Sequence, residues 1–431
     1  MLNELTTIIT VFLVALCLIL PRKYRLVPFI TAACFMPTDQ RVILGGLDFT
    51  ILRILIVVLV LRIYMRGEVA VIHWNRFDKL VFAWTTCGAI VFSLQMASTG
   101  DIINRCGVMF DVLGTYWLCR QCIHSWAGIK TIMMIFAICL LVFAPLVGFE
   151  WAMGQNPFAA LGRVSTWVRE ERYRCQASFV HSIAMGLFWV TLLPMFISMA
   201  MIDKRKILYW IAAILCVFCI LGSASASPLG TLLVVALLFP MFKWRHRYSF
   251  FVKSLCVTLL FLHITMDGPV WSLITKMSVI VPGSTGWHRF HLIDQGIKHF
   301  SEWAILGTRS TAHWGYGCED VTNQYLLEGV RGGFMTLALF VAILVVAMKT
   351  SVKFSLRSVP RDVSWLSWGV CISIAAHCVG FFGNSYFGQI QMLLYLHFAF
   401  AGFIYEVAAD HSAELSILRH KNSLFAECGL N

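Results

Sequence analysis

Two polar stretches in an otherwise apolar chain hold the residues that can do chemistry. The first carries Arg163, Arg169, Arg172 and Arg174, with Glu170 and Glu171 among them. The second runs from Asp267 to Arg331 and carries Arg289, Arg309 and Arg331 together with His313, Glu319 and Asp320. Clustered arginines suit an anionic group, because the planar guanidinium grips phosphate with paired N–H donors and stays charged at any working pH. The bland alternative is that Glu170 and Glu171 neutralise the first cluster and lipid phosphates satisfy the rest. The second stretch opens on a turn at Asp267-Gly268-Pro269 and breaks again at Pro282-Gly283-Ser284-Thr285-Gly286. Trp287 to Ala304 then has helical period, with Trp287, Phe290, Ile293, Ile297, Phe300 and Ala304 on one face. That spacing predicts a helix lying along a membrane surface. Its other face offers His288, His291, His299 and Glu302 as metal-ligand types, but at loose spacing on a face that needs polar residues anyway. No metal and no other cofactor is expected.

The elements that must position these residues are membrane spans. The chain is 59% hydrophobic and 13% charged, with a mean hydropathy of +0.77, well outside the balance of a soluble domain. Apolar intervals at 5–20, 24–37, 47–64, 79–97, 102–123, 129–150, 178–201, 207–221, 227–242, 250–266, 326–348, 364–382 and 386–406 predict an all-α integral membrane protein of roughly 12–13 transmembrane helices. Residues 1–431 form one polytopic domain, with the large 267–325 loop placed before the last three spans. The first interval has no basic leader and no clear cleavage site, so it is expected to be retained. The net charge of +12 lies in short loops between spans, which argues for cytoplasmic loops and against nucleic acid.

Those loops recur at every second connection: Arg22/Lys23/Arg25, Arg66/Arg76/Lys79, Arg120/Lys130, Lys204/Arg205/Lys206, Lys243/Arg245/Arg247 and Lys349/Lys353/Arg357/Arg361, with Arg419 and Lys421 in the tail. They are expected on the cytoplasmic side, which puts 151–177 and 267–325 outside. The two arginine-bearing stretches are therefore exceptions to the positive-inside bias. Fifteen cysteines show no zinc spacing. Cys175 and Cys318 fall in the outward loops, where a disulfide can persist if the Cα atoms approach within about 7 Å; two separate free thiols are the expectation. Arg53, Arg105 and Asp111 lie inside spans, where mutual pairing and a functional role are both open. His263, His377 and His397 are expected to be hydrogen-bonded structural histidines. Gly222-Ser-Ala-Ser-Ala-Ser227-Pro228 reads as a tight hairpin, with close helix approach or anion-binding backbone N–H groups as alternatives.

Several segments resemble O-antigen ligase and polymerase-like membrane proteins. Arg172-Tyr-Arg174-Cys-Gln-Ala-Ser-Phe179-Val-His181-Ser182-Ile-Ala-Met-Gly186 is similar to that family's R…G-x-F-x-H-P-I-x-x-G segment. Ser284-Thr-Gly-Trp-His-Arg289, Trp303-Ala-Ile-Leu-Gly307 and Asn323-Gln-Tyr325-Leu-Leu-Glu-Gly-Val-Arg331-Gly332-Gly333 resemble its arginine, P-L-x-G and (H/D)-N-x-Y-L…G-x-x-G elements, in the same order. This chain departs from the pattern at Ser182 for proline, Thr322 for His or Asp, Thr336 for glycine, and Ser227-Pro228 for Ser-Arg.

The resemblance implies a polyprenyl-pyrophosphate-dependent glycosyltransferase of the bacterial inner membrane. It would move a glycan from an undecaprenyl-pyrophosphate donor to a glycan or lipid acceptor at the outer face, as a ligase or polymerase in O-antigen or exopolysaccharide assembly. Membrane lipids and other polysaccharide-assembly proteins are the further partners it implies. Arg172, Arg174, Arg289 and Arg309 are then candidates to hold the pyrophosphate, with Asn323 and Tyr325 as further substrate contacts. His313, Glu319, Asp320 and His181 are candidates for the base that activates the acceptor hydroxyl. Trp287, Trp303, Trp314, Tyr316 and Tyr325 can stack on sugar faces. The alternatives are a lipid-linked glycan transporter or flippase, whose charges should line a path through the membrane, and a catalytically inactive relative.

Overall fold

The computed structural model describes residues 2–44, 47–162, 164–169, 171–276 and 285–427, with the backbone alone from Asp410 onward. Arg163, Glu170 and Pro282-Gly283-Ser284 lie outside the described residues, as do the side chains of Arg419 and Lys421. About three quarters of the chain is helical, and among the described residues there is no closed sheet. Each apolar interval carries a helix: α1 Glu4–Ile19, α2 Val27–Phe35, α3 Ile51–Met65, α4 Arg76–Met96, α5 Thr99–Cys122, α6 Trp126–Met153, α7 Ser182–Ile202, α8 Lys206–Gly222, α9 Ala226–Leu238 and α10 Tyr248–Thr265. After α11, Gly286–Lys298, which belongs to the long loop, come α12 Gln324–Ser355, α13 Arg361–Gly380 and α14 Gln389–Glu427.

Among the described residues seven helical runs are long and apolar enough to cross a membrane: α4, α6, α7, the 40-residue run Ala226–Thr265, α12, α13 and Gln389–Ala409 of α14. The chain is an all-α membrane protein of the multi-pass kind. Helices α1 and α8 are apolar but shorter, and α2, at nine residues, is about half the length that a bilayer requires. Two details differ from the apolar pattern. The interval from 47 starts in a hairpin, Arg41–Leu44 against Leu47–Thr50, so α3 begins only at Ile51, capped by the Thr50 hydroxyl. The intervals 227–242 and 250–266 are joined by 3-10 turns through the basic residues 243–247 instead of an open loop.

Helix α7 is the centre of the bundle, buried along most of its length against α8, α9 and α13. Close packing there depends on small residues: a Cβ on Gly186 would stand 2.6 Å from Pro228, and one on Gly369 2.5 Å from Ser198 Oγ. Several charges inside the bundle are paired. Arg53 meets Asp111 with two 2.7 Å bonds that tie α3 to α5, so two of the three intraspan charges neutralise one another. Arg105 takes no part in that pair. His377 Nε2 meets His397 Nδ1 at 2.9 Å and its Nδ1 meets the Tyr386 hydroxyl at 3.0 Å, while His263 Nδ1 accepts from the Val270 N–H. Cys175 and Cys318 are free thiols, both buried.

Candidate functional site

A broken helix and two glycines build the site. At Gly333, α12 departs from helical geometry with φ +70° and ψ 176°, a conformation open to glycine and strained for other residues. The backbone groups freed at the break are taken up by the loop that precedes α12: Phe334 N–H donates to the Ala304 carbonyl at 2.8 Å, and Thr308 N–H donates to the Val330 carbonyl at 2.8 Å. Gly307, at φ +71°, permits this approach, because a Cβ there would stand 2.1 Å from the Val330 oxygen. Gln95 of α4 adds a third link, donating from Nε2 to the same carbonyl at 3.2 Å while its own carbonyl accepts from Arg309 Nε at 2.7 Å. Arg309 and Arg331 are thereby held on one wall.

That wall closes a cavity of ≈ 410 Å³ whose charged lining is Arg105, Arg309, Arg331, Glu319 and Asp320. A second cavity of ≈ 180 Å³ continues into the bundle and shares Arg105 and Arg331 with the first. At its floor Glu328 accepts from Trp84 Nε1 at 2.9 Å and from Gln324 Nε2 at 2.7 Å. Three guanidinium groups and three carboxylates thus face one connected space. The positive groups are offset but not quenched, since no direct ion pair to Arg105, Arg309 or Arg331 is formed among the described residues.

A second cationic group lies beside the turn between α13 and α14. Arg289 is 6% exposed, and burial, reinforced by Arg169 and Arg174, pushes its pKa down to about 10, so it stays charged at neutral pH. Arg174 donates from Nη2 to Ser225 Oγ at 2.7 Å, and among the described residues its buried Nε has no partner, as is true of Ser227 Oγ and Asn384 Nδ2. Gly383 keeps the place open: a Cβ there would stand 2.0 Å from Ser227 Oγ and 3.4 Å from Arg289 Cζ. The serine turn between α8 and α9 is therefore a close-packed hairpin that also receives an arginine. His181 links the two groups. Desolvation pushes its pKa below the ordinary histidine value, Asp320 pulls it up and Arg174 pushes it further down.

Of the residues singled out in the sequence, Arg105, Arg309, Arg331, Glu319 and Asp320 share the larger cavity, and Arg174, Arg289 and His181 cluster beside it. The others stand elsewhere. Arg172 is exposed on the Trp167–Arg169/Arg172–Arg174 hairpin. His313 does not line the cavity, and its Nε2 stands 2.8 Å from Glu302 Oε2, which also accepts from Trp314 Nε1. Asn323 caps α12 by accepting the Leu326 N–H, and Tyr325 donates to the Cys378 carbonyl at 3.0 Å within an aromatic cluster with Phe340 and Phe381. Of the aromatic platforms, Trp303 and Trp314 are buried, whereas Trp287 and Tyr316 are 57% and 89% exposed.

The helix expected over 287–304 breaks at His299 into α11 and the one-turn helix Phe300–Trp303. Its buried face is Gly286, Arg289, Leu292 and Gly296, not the Trp287–Ile297 stripe. A small second core under the loop, including Leu292, Trp303, Trp314, Cys318, Leu326 and Val330, holds that face against α12. Sequence reading passed over Glu328, although Glu328 and Arg331 lie three apart on an apolar helix and so share a face. No protein-family model matches this chain, and no curated protein matches it.

Proposed function

We propose that this chain is an inner-membrane glycan ligase or polymerase that transfers a glycan from an undecaprenyl-pyrophosphate donor to an acceptor. The observation that carries the reading is the connected cavity in which Arg105, Arg309 and Arg331 face Glu319, Asp320 and Glu328. In such a transfer the acceptor oxygen bonds to the anomeric carbon, the bond from that carbon to the pyrophosphate oxygen breaks, and the electron pair leaves with the lipid pyrophosphate. Fixed guanidinium groups stabilise that growing charge. The acceptor proton goes to Asp320 or Glu319, the carboxylates on the wall of the larger cavity. The cations that face the candidate carboxylates lie together next to the start of α5 and of α12, and this joint placement of cations and bases supports an enzyme over a transporter. With the basic connections counted as cytoplasmic, the shorter helices complete a bundle of about thirteen spans, and the 267–325 loop faces the periplasm.

The test uses purified protein in liposomes with an undecaprenyl-pyrophosphate-linked oligosaccharide and a glycan acceptor. Glycan transfer with stoichiometric release of undecaprenyl pyrophosphate is expected. Arg331→Lys should lower it on the order of tenfold or more, because lysine keeps the charge but not the paired donors, and Lys204→Ala should leave it unchanged. Labelled donor crossing the bilayer with no pyrophosphate released would make the chain a transporter. Equal transfer by Arg331→Lys and Arg309→Lys would remove the arginines from the mechanism. A single cysteine at position 309 should react with an impermeant reagent in intact inner-membrane vesicles only when these are right-side-out; reaction only in inverted vesicles overturns the orientation.

A further inference from the structure

A second basic cavity lies at the opposite end of α5. Arg105 and Cys122 are seventeen residues apart on that helix, or ~26 Å at 1.5 Å per residue, so this place is separate from the site above. It encloses ≈ 410 Å³ between the Arg22–Tyr24 turn and the start of α6. Its polar lining includes Arg22, Lys23, Arg25 and His124 and, among the described residues, no carboxylate, and Leu26, Ile132 and Ile135 form an apolar side.

The positive charge there is in surplus. Arg25 is 2% exposed and held from three directions: Nε donates to Cys122 Sγ at 3.0 Å, Nη1 stands 3.3 Å from Glu68 Oε2, and Nη2 donates to the Gln121 carbonyl. Glu68 also serves the buried Arg62 at 3.0 Å, so one carboxylate faces two guanidinium groups. Arg22 and Lys23, both exposed, then add two more cations at the mouth. His124 registers this field, since its pKa is pushed below the ordinary value by burial and then by Arg22 and Arg25. Helix α6 starts at the same place behind its Ser125 cap, and its dipole has the same sign.

We propose that this cavity binds the phosphate of an anionic membrane lipid, with Arg22, Lys23 and His124 around the headgroup and Leu26, Ile132 and Ile135 beside the first methylenes. The shared chemistry is a phosphate anion. A lipid is the source because the cavity has an apolar side, Leu26 at the cap of α2 with Ile132 and Ile135 of α6, which a soluble phosphate has no use for. The inference stands apart from the glycan reading and survives its failure.

The experiment is native mass spectrometry of the full-length chain released from nanodiscs of phosphatidylethanolamine with a minor fraction of cardiolipin. Wild-type protein should retain cardiolipin well above its share of the bilayer. Arg22→Gln with Lys23→Gln should lower that retention ~10-fold to ~30-fold, at ~1 kcal/mol for each basic residue near a lipid surface, while Lys204→Gln with Lys206→Gln should leave it unchanged. Cardiolipin retained by wild-type protein only in proportion to its share of the bilayer overturns the site without recourse to any variant. Undiminished retention by the Arg22/Lys23 variant also overturns it. Displacement of the lipid by millimolar inorganic phosphate would reassign the cavity to a soluble anion.

Discussion

Replacing Gly307 by alanine should dismantle the larger cavity, and the structure supplies its own control. Gly307 and Gly67 both have left-handed backbone conformations, at φ +71° and +62°. Any L-residue with a Cβ costs ~1–2 kcal/mol in that region, so both substitutions carry this conformational term. They differ in what the methyl meets. Around Gly67 nothing stands within 4 Å, whereas at Gly307 the Val330 carbonyl oxygen would be 2.1 Å away and Gln95 Nε2 2.7 Å away. The nearest neighbour is backbone in the middle of a broken helix and cannot swing aside. Relief requires the 304–308 segment to lift off α12, which sacrifices Thr308 N–H to Val330 and Phe334 N–H to Ala304. At ~0.5–1.5 kcal/mol for each hydrogen bond, Gly307→Ala should cost ~2–5 kcal/mol in all, against ~1–2 kcal/mol for Gly67→Ala. Thermal melts in detergent would measure both, and binding of undecaprenyl pyrophosphate would report whether Arg309 and Arg331 are still aligned. A Gly307→Ala protein no less stable than Gly67→Ala, with unchanged binding, would refute the account of how the loop is seated on the broken helix.

Two further outcomes follow from the same geometry. Arg289→Lys should weaken binding of undecaprenyl pyrophosphate, because a buried guanidinium is replaced by a strongly hydrated ammonium, while Arg172→Lys on the exposed hairpin should bind like wild type; the reverse order in a binding titration would exchange their roles. His181 has a folded pKa below that of the unfolded chain, so its contribution to stability is complete above about 6.5 and is lost as the pH falls through that value toward the folded pKa. His181→Gln should flatten this acid limb in melting temperature against pH, and Arg174→Gln, by removing a charge that lowers the His181 pKa, should shrink it; a limb that deepens in Arg174→Gln would contradict the placement of the two residues.

The helices were legible because lipid demands continuous apolar runs, and each interval carries a helix, although among the described residues only seven runs are long and apolar enough to cross a membrane. The site was legible in part. The arginine surplus marked Arg309 and Arg331, which the fold gathers on one cavity, but the hydrophobic stripe of α11 pointed to the wrong face of that helix, because hydrophobicity marks what avoids water and does not separate a lipid-facing side from a protein-facing one. Arg289 is buried where Trp287 is exposed, since Gly296 on the Arg289 side lets Leu326 approach to within van der Waals distance and the protein closes there. A similar separation runs through the short motifs. Asn323 caps α12, Tyr325 anchors it to α13, and Gly307 and Gly333 admit the backbone of a neighbouring segment. These motif residues are devices that seat one segment on another. The groups that can act on a substrate lie between or beside them: Arg309 two residues after Gly307, Arg331 two residues before Gly333, Glu328 one turn below it, and Asp320 three before Asn323. A motif whose frame is kept can therefore hold altered chemistry: Thr322 stands where the resembling family has His or Asp, and under the function proposed above the acceptor proton would pass instead to Glu319 or Asp320, the carboxylates that line the cavity.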